Sequence, residues 1–427
     1  MTLRRAARGA VLFGLGLLAA VGGLVAWLNL RGEAPVDHTP DRGTADPALV
    51  ARGEILARAG GCFGCHTERG GRAYAGGRAI ETPFGNVYSS NLTPDPETGL
   101  GDWSGDAFWR ALHHGRSKSG RLLYPAFPYP NYTRVARADA DAMFAYLKSV
   151  PAVRHANRAN TLGFPFDTQA ALAVWRALYF RPAAHVDDPE RPADWNRGAY
   201  LVEGLGHCNA CHSARNALGA TRGTLDLQGG LIPVQNWYAP SLASPREAGV
   251  AGWQKRDVVR LLKTGIAPRG FVMGPMSEVV GNGTQYLGDA DLAAIAAYLQ
   301  ALPAPAEADP SAAPPGLPGE RGGALYRDHC VACHGERGEG VPGAYPALSG
   351  SRTVTMLSTA NLVHIVLEGG FPPSTAGNPR PFGMPPFATV LSNEDIAELL
   401  SFVRVSWGNR RPAVSALDVG RARSGGR

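Results

Sequence analysis

Along the 427 residues, apolar and polar positions fall into one uninterrupted apolar run followed by three blocks that repeat the same order of elements. The run, Ala10 to Leu28, carries no charge and follows Arg4, Arg5 and Arg8. About 20 apolar residues span a bilayer, and basic residues ahead of such a span stay on the inner face. Residues 1–32 are expected to be a membrane anchor or a signal. A retained anchor is the better reading, because the run exceeds most signal cores and no clear A-x-A cleavage site follows it. The chain beyond residue 32 then lies outside.

Each block opens with a helix-like segment: Ala51 to Ala57, Asn196 to Val202, and Arg321 to Tyr326. Each continues with an amphipathic stretch ending in glycine, at Ala107–Gly115, Asp257–Gly265 and Asn361–Gly369. Glycine just past a periodic apolar run is a helix stop. A closing helix follows in each, over Ala138–Ser149, Asp289–Ala301 and Ser392–Ser406, with acidic residues in the first turn where the helix dipole favours them. The repeat predicts three small modules at 45–151, 195–302 and 319–409. Residues 152–194 form a connector with a helical segment from Gln169 to Phe180, residues 303–318 a Pro, Ala and Gly linker, and 410–427 a flexible basic tail. The fold class expected is all-α, with 54 glycines and 34 prolines suiting loop-rich packing rather than long sheets.

The net charge of +6 is dispersed over arginines and forms no runs, so it reads as a solvated surface and not as a nucleic-acid interface.

The six cysteines decide the chemistry. They fall in three identical spacings, Cys62-x-x-Cys65-His66, Cys208-x-x-Cys211-His212 and Cys330-x-x-Cys333-His334, and none is left over. Two thiols one helical turn apart can add to the two vinyl groups of one porphyrin, and the adjacent histidine then reaches the iron. Zinc fits poorly, since neighbouring Cys and His cannot easily bind one tetrahedral ion. Redox dithiols or structural disulfides do not require a histidine after every pair. The sequence therefore predicts three covalently bound haem c groups, with His66, His212 and His334 as axial ligands.

Electron-transfer haems are usually completed by a methionine on the opposite side. In the third module Met384 stands in a Pro-rich loop between the middle and closing helices, whereas Met356 precedes the middle helix and reads as core. In the second module Met276 occupies the corresponding stretch, with Met273 a close competitor. Aligning the closing helices on Tyr146, Tyr298 and Phe402 puts Met276 22 residues and Met384 18 residues before its aromatic. In the first module the residue 19 before Tyr146 is Phe127, which cannot coordinate iron. The sixth ligand of the first haem stays open: His113, His114 and Met143 are the alternatives to an open iron. Met143 aligns with Ile295 and Leu399 and reads as core, His113 and His114 as helix-end residues, and His364 as structural.

From Leu49 to Asn409 the chain resembles the triheme cytochrome c subunits of membrane-bound bacterial dehydrogenases, those acting on alcohols, gluconate, sorbitol and fructose. The resemblance rests on Ser90-Asn-Leu-Thr-Pro-Asp-Pro-Glu-Thr-Gly-Leu-Gly101, Trp195 to Cys208, Gly274-Pro-Met-Ser-Glu-Val-Val280 and Val403-Arg-Val-Ser-Trp-Gly-Asn409. It implies tandem class I cytochrome c domains. Alcohol dehydrogenase members look like Leu-Tyr-Pro-Ala-Met-Pro-Tyr where this chain has Phe127, and the Phe form is similar to cytochromes serving molybdenum hydroxylases. The implied partner is a dehydrogenase catalytic subunit of molybdenum, quinoprotein or flavoprotein type. The implied acceptor is ubiquinone or a terminal oxidase, and the implied location is the cytoplasmic membrane with the haem domains on the periplasmic side.

No acid–base or nucleophile constellation is needed for a relay, so the chain is expected to be a non-catalytic electron-transfer subunit of an oxidoreductase complex. The competing expectation is a haem enzyme or small-ligand sensor working at an open sixth site on the first haem.

Overall fold

The computed structural model describes residues 2–41, 43, 46–223, 226–305 and 319–425. The apolar run forms α1 (Thr2–Leu30), with Leu12, Phe13 and Leu18 exposed along it. Its segment Ala7–Leu30, of mean hydropathy 2.3, is long and apolar enough to cross a membrane. The first unit consists of α2 (Pro47–Ala59), the strands β1 (Ala79–Thr82) and β2 (Gly85–Tyr88), α3 (Gly105–His114) and α4 (Arg137–Ser149). The connector supplies β3 (Thr161–Leu162) and α5 (Gln169–Tyr179). In the second unit α6 (Ala193–Ala199) runs on into a π-helical turn, Tyr200–Leu205, and is followed by α7 (Lys255–Thr264), α8 (Pro275–Asn282) and α9 (Asp289–Gln300). The third unit holds α10 (Glu320–His329), α11 (Ala360–Glu368), α12 (Asn393–Val405) and α13 (Ala416–Gly425).

Opening and closing helices pack pairwise, α2 on α4, α6 on α9 and α10 on α12. Each crossing is made possible by a glycine. A Cβ at Gly53, Gly198 or Gly322 would lie 1.9, 2.1 or 2.3 Å from the carbonyl oxygen of Ala142, Ala294 or Glu398, and would also meet the Cβ of Tyr146, Tyr298 or Phe402. The arginine before each glycine pairs with an aspartate of the closing helix: Arg52 with Asp139, Arg197 with Asp291 at 2.8 Å, and Arg321 with Asp395. The middle helices α3, α7 and α11 stop at Gly115, Gly265 and Gly369, with φ of 58°, 78° and 64° in the region that only glycine enters without strain.

The first and second units share one apolar core, to which Leu56, Leu147, Leu201, Leu205 and Leu292 contribute. The third has its own, around Tyr326, Ile396 and Leu400. Polar contacts join the third unit to the second. Asn361 and the Tyr238 backbone exchange hydrogen bonds of 2.8 and 2.7 Å, and Arg352 donates to the carbonyls of Glu247 and Gly249 while lying over Trp253.

Two expectations need correction. The fold is not purely helical: β1, β2 and β3 make an antiparallel sheet in which Asn86 pairs with Thr161. The connector therefore folds back on the first unit, and Asn91 fastens it further by donating to the Val153 carbonyl at 2.7 Å. The expected flexible tail at 410–427 instead contains α13, which buries Val419 completely against the third unit and directs Arg423 to the carbonyls of Ala388 and Leu391. From residue 306 onward, the linker expected at 303–318 lies outside the described residues.

Candidate haem-attachment sites

Each cysteine pair lies on one tight helical turn. Cys62–Cys65 is a single α-turn, Cys208–Ala210 a 3-10 turn that hands on to Cys211, and Val331–His334 an α-turn entered from Cys330. In all three the histidine amide donates to the carbonyl of the first cysteine at 2.9 Å. One geometry thus presents two thiols and an imidazole together, and all six thiols are free. Burial pushes the thiols of Cys62 and Cys208 up to about 12 and that of Cys330 up to about 11, so they are neutral thiols at physiological pH.

The three imidazoles are held alike. Nδ1 of His66 lies 2.6 Å from the Ser90 carbonyl, Nδ1 of His212 2.6 Å from that of Pro240, and Nδ1 of His334 3.0 Å from that of Pro346. A carbonyl can only accept, so each Nδ1 carries the proton and each Nε2 keeps its lone pair. Burial lowers the pKa of all three below the ordinary histidine value, against the smaller opposing effect of the carbonyl. A neutral imidazole with its tautomer fixed by a second-sphere acceptor is what an iron ligand requires. Among the described residues no three His, Cys, Asp or Glu side chains converge as they would around a zinc ion. The donor set fits covalent haem c.

Of the methionines expected as second ligands, Met384 pairs its backbone with Gly370 through two hydrogen bonds, 2.8 and 2.9 Å, and its side chain borders the third core. In the second unit Met276 sits in the first turn of α8. Its competitor Met273 lies near the third unit, where a Cβ on Gly370 would stand 3.5 Å from Met273 Cε. Phe127 borders the first core beside Tyr132, the ring centroids 5.2 Å apart.

The alternatives for the first unit lie in three different settings. Met143 is buried within α4, His113 stacks on Trp109 and faces the Thr133 hydroxyl, and His114 is buried close to Arg176, Arg116 and Arg110. Met356 is core. His364 is buried, bonds Glu368 at 2.8 Å and stacks on Trp237 across the boundary between the second and third units.

The carbonyl acceptors were not anticipated from sequence. A signal for them exists: Ser90-Asn-Leu92, Pro240-Ser-Leu242 and Pro346-Ala-Leu348 place a leucine two residues after each acceptor. Nor did sequence disclose how close the first two motifs lie. Helix α8 packs on the Cys62–Cys65 turn, Arg78 bonds Glu278 at 2.9 Å, and a Cβ at Gly61 would come within 3.3 Å of His207 Nε2. Burial raises the Cys65 pKa, and Cys211 and Glu278 add to the effect across the boundary.

The cytochrome c family model matches residues 50–151 and 319–407. The cytochrome c subunit of alcohol dehydrogenase (quinone) from Gluconacetobacter polyoxogenes is 38% identical over 417 residues, covering 93% of this chain and 88% of that protein. The gluconate 2-dehydrogenase cytochrome c subunit of Pantoea cypripedii is 38% identical over 404 residues, 88% of this chain and 89% of that protein. A nicotinate dehydrogenase subunit of Pseudomonas putida is 39% identical over 410 residues, which are 93% of this chain but 34% of that longer protein, so the chain spans about a third of it. With cysteine turns, oriented histidines and these relatives together, the chain belongs to the family of cytochrome c subunits of bacterial dehydrogenase complexes and transfers electrons from a dehydrogenase.

Proposed function

We propose that the chain carries three haem c groups and connects a dehydrogenase catalytic subunit to an acceptor in the membrane, either a quinone or a terminal oxidase. The observation that supports this most is the threefold histidine clamp: each imidazole presents a free Nε2 beside a cysteine pair and gives its Nδ1 proton to a backbone carbonyl. Haem c supplies a one-electron couple when bound. Cys62 and Cys65, Cys208 and Cys211, and Cys330 and Cys333 fasten it. His66, His212 and His334 would ligate the iron, and Met276 and Met384 would complete its ligation in the second and third units. The first unit offers Phe127 instead.

The units are three tandem class I cytochrome c domains, as the repeated Arg–Asp pair and glycine crossing support. Helix α1 is a retained anchor, with the haem domains on the periplasmic side. Support comes from Asn29, which donates to the Ala173 carbonyl and accepts from Arg176, and from Glu33, which is 2.8 Å from Arg116. The first unit is therefore the membrane end. Around the third haem motif Val341, Phe371 and Phe382 are exposed, with Tyr345 against Phe382 at 5.2 Å. An apolar rim of this kind suits a protein partner, and we assign it to the dehydrogenase subunit. Co-purification from native membranes tests the pairing: a larger subunit bearing molybdenum, a quinone cofactor or flavin supports it, and a chain that is reproducibly alone contradicts it.

A further inference from the structure

We infer that α5, in the connector, is a second membrane contact: a short helix lying flat in the lipid headgroup region beside the point where α1 leaves the bilayer. The inference rests on α1 being a retained anchor and extends that reading to a surface that composition and repeat did not single out.

The helix is apolar on both sides, with Leu172 and Ala177 buried on the inner one, and its single charge faces inward. A surface helix of a soluble domain turns its apolar stripe inward and its charges outward. In α5, Gln169-Ala-Ala-Leu-Ala-Val-Trp-Arg-Ala-Leu-Tyr179, the one charged side chain is Arg176, and it points inward at 3% exposure. There it bonds Asn29 Oδ1 at 2.9 Å and lies over the rings of Tyr129 and Phe180. The outward stripe is Ala170, Val174 and Leu178, one turn apart, with Tyr179 alongside; Val174 and Leu178 are 48% and 59% exposed.

The position of this face names its occupant. Asn29, in the last turn of α1, donates to the Ala173 carbonyl at 2.9 Å, so the middle of α5 is fixed to the outer end of the spanning helix. Val25, Leu28 and Asn29 are half-buried on α1, whose remaining described apolar side chains are largely exposed, and α1 packs on α5. At the same level Trp27 is exposed beneath the Arg31 guanidinium, the pairing of aromatic and basic residue that marks a membrane–water interface. Phe164, 84% exposed just ahead of α5, extends the apolar surface, and Trp175 Nε1 bonds the Leu218 carbonyl, bringing exposed Leu218 to the same edge. A patch continuous with a membrane span meets lipid before it can meet a soluble partner. A short helix with one apolar and one protein-bound face buries that stripe at the headgroup–acyl boundary. A two-point attachment would hold the first unit at a fixed tilt, which a single spanning helix does not do.

The test uses the full haem-loaded chain in nanodiscs of phosphatidylethanolamine and phosphatidylglycerol, without a dehydrogenase subunit. Since the native cysteines all belong to the haem motifs, an added cysteine is the one thiol open to a nitroxide label. Val174→Cys and Leu178→Cys are compared with Leu18→Cys, within the span, and Asp289→Cys, on the exposed start of α9. Collision rates with dissolved oxygen and with a water-soluble nickel chelate are measured by power saturation. Labels at 174 and 178 are expected to show high oxygen and low chelate access, close to the Leu18 label. Chelate access equal to that at Asp289, with the Leu18 label still in lipid, overturns the second contact alone. A Leu18 label in water overturns the anchor and this inference with it. Protection at 174 that appears only when a dehydrogenase subunit is added would assign the face to that partner and also overturn the proposal.

Discussion

Gly198 and Ala294 approach so closely that a Cβ on the glycine would stand 2.1 Å from the Ala294 carbonyl oxygen. Helix propensity alone favours alanine over glycine by about 1 kcal/mol, so a gain in stability would be expected from Gly198→Ala were the site open. With backbone facing it, overpacking decides the sign, and the substitution should cost about 1–3 kcal/mol. Thermal unfolding of the haem-loaded chain measures it. Gly53→Ala and Gly322→Ala should behave alike, and a rise in Tm at all three would contradict the crossing geometry.

That crossing also shows how far the sequence could be read. The alignment on Tyr146, Tyr298 and Phe402 found the very residues that meet the three glycines, because helix periodicity and glycine stops are local properties. Cysteine spacing disclosed the attachment turns for the same reason. The carbonyls of Ser90, Pro240 and Pro346 are hard to read from sequence, because a backbone acceptor has no side-chain identity. Strand β3 is not legible, because two residues, Thr161 and Leu162, carry no readable alternation and the pairing with β2 is long-range. Helix α13 is not legible because Ala416–Gly425 is polar overall; buried Val419 and the Arg423 hydrogen bonds together dock it. Helix α5 is legible as a helix, but the direction of Arg176 depends on Asn29, which lies 147 residues away.

Phe127 should leave the first haem without a protein ligand on its distal side. Carbon monoxide added to the reduced protein is expected to shift the spectrum of one haem in three. Phe127→Met should abolish that shift while leaving haem content unchanged. A carbon monoxide shift that persists in full in the variant would show that Phe127 does not stand at the sixth position.

His114 should make the protein less stable in mild acid. Burial, then His113, Arg176, Arg116 and Arg110, push its pKa down to about 4. The unfolded chain takes up this proton near the ordinary value of about 6.5, whereas the folded one resists until about 4, so more protons are bound unfolded throughout that window. Stability should therefore fall as pH drops from about 6.5 toward 4. His114→Gln should flatten part of the slope in denaturant titrations at several pH values, and an unchanged slope would place the acid sensitivity elsewhere.

Anchor retention predicts the N-terminus of the mature chain. Asn29 and Glu33 are built into contacts with Ala173, Arg176 and Arg116. Intact mass of the membrane-extracted protein should include α1, and a mature N-terminus after Asn29 would contradict the clamp.

On the third unit, Phe382→Asp should weaken docking of the dehydrogenase subunit by about tenfold or more, equivalent to about 1.4 kcal/mol. Reduction kinetics against dehydrogenase concentration would report it, with the dithionite-reduced spectrum unchanged. Equal kinetics in the variant would move the docking face away from Phe371 and Phe382.

Three covalent haems on one chain underlie every electron-transfer step proposed above, and the most direct measurement is haem per protein by pyridine haemochrome, together with the mass of the denatured chain. Three haems that survive denaturation are expected, falling to two in Cys208→Ser/Cys211→Ser. Two haems in the native chain, or no loss from that double variant, would contradict the threefold attachment.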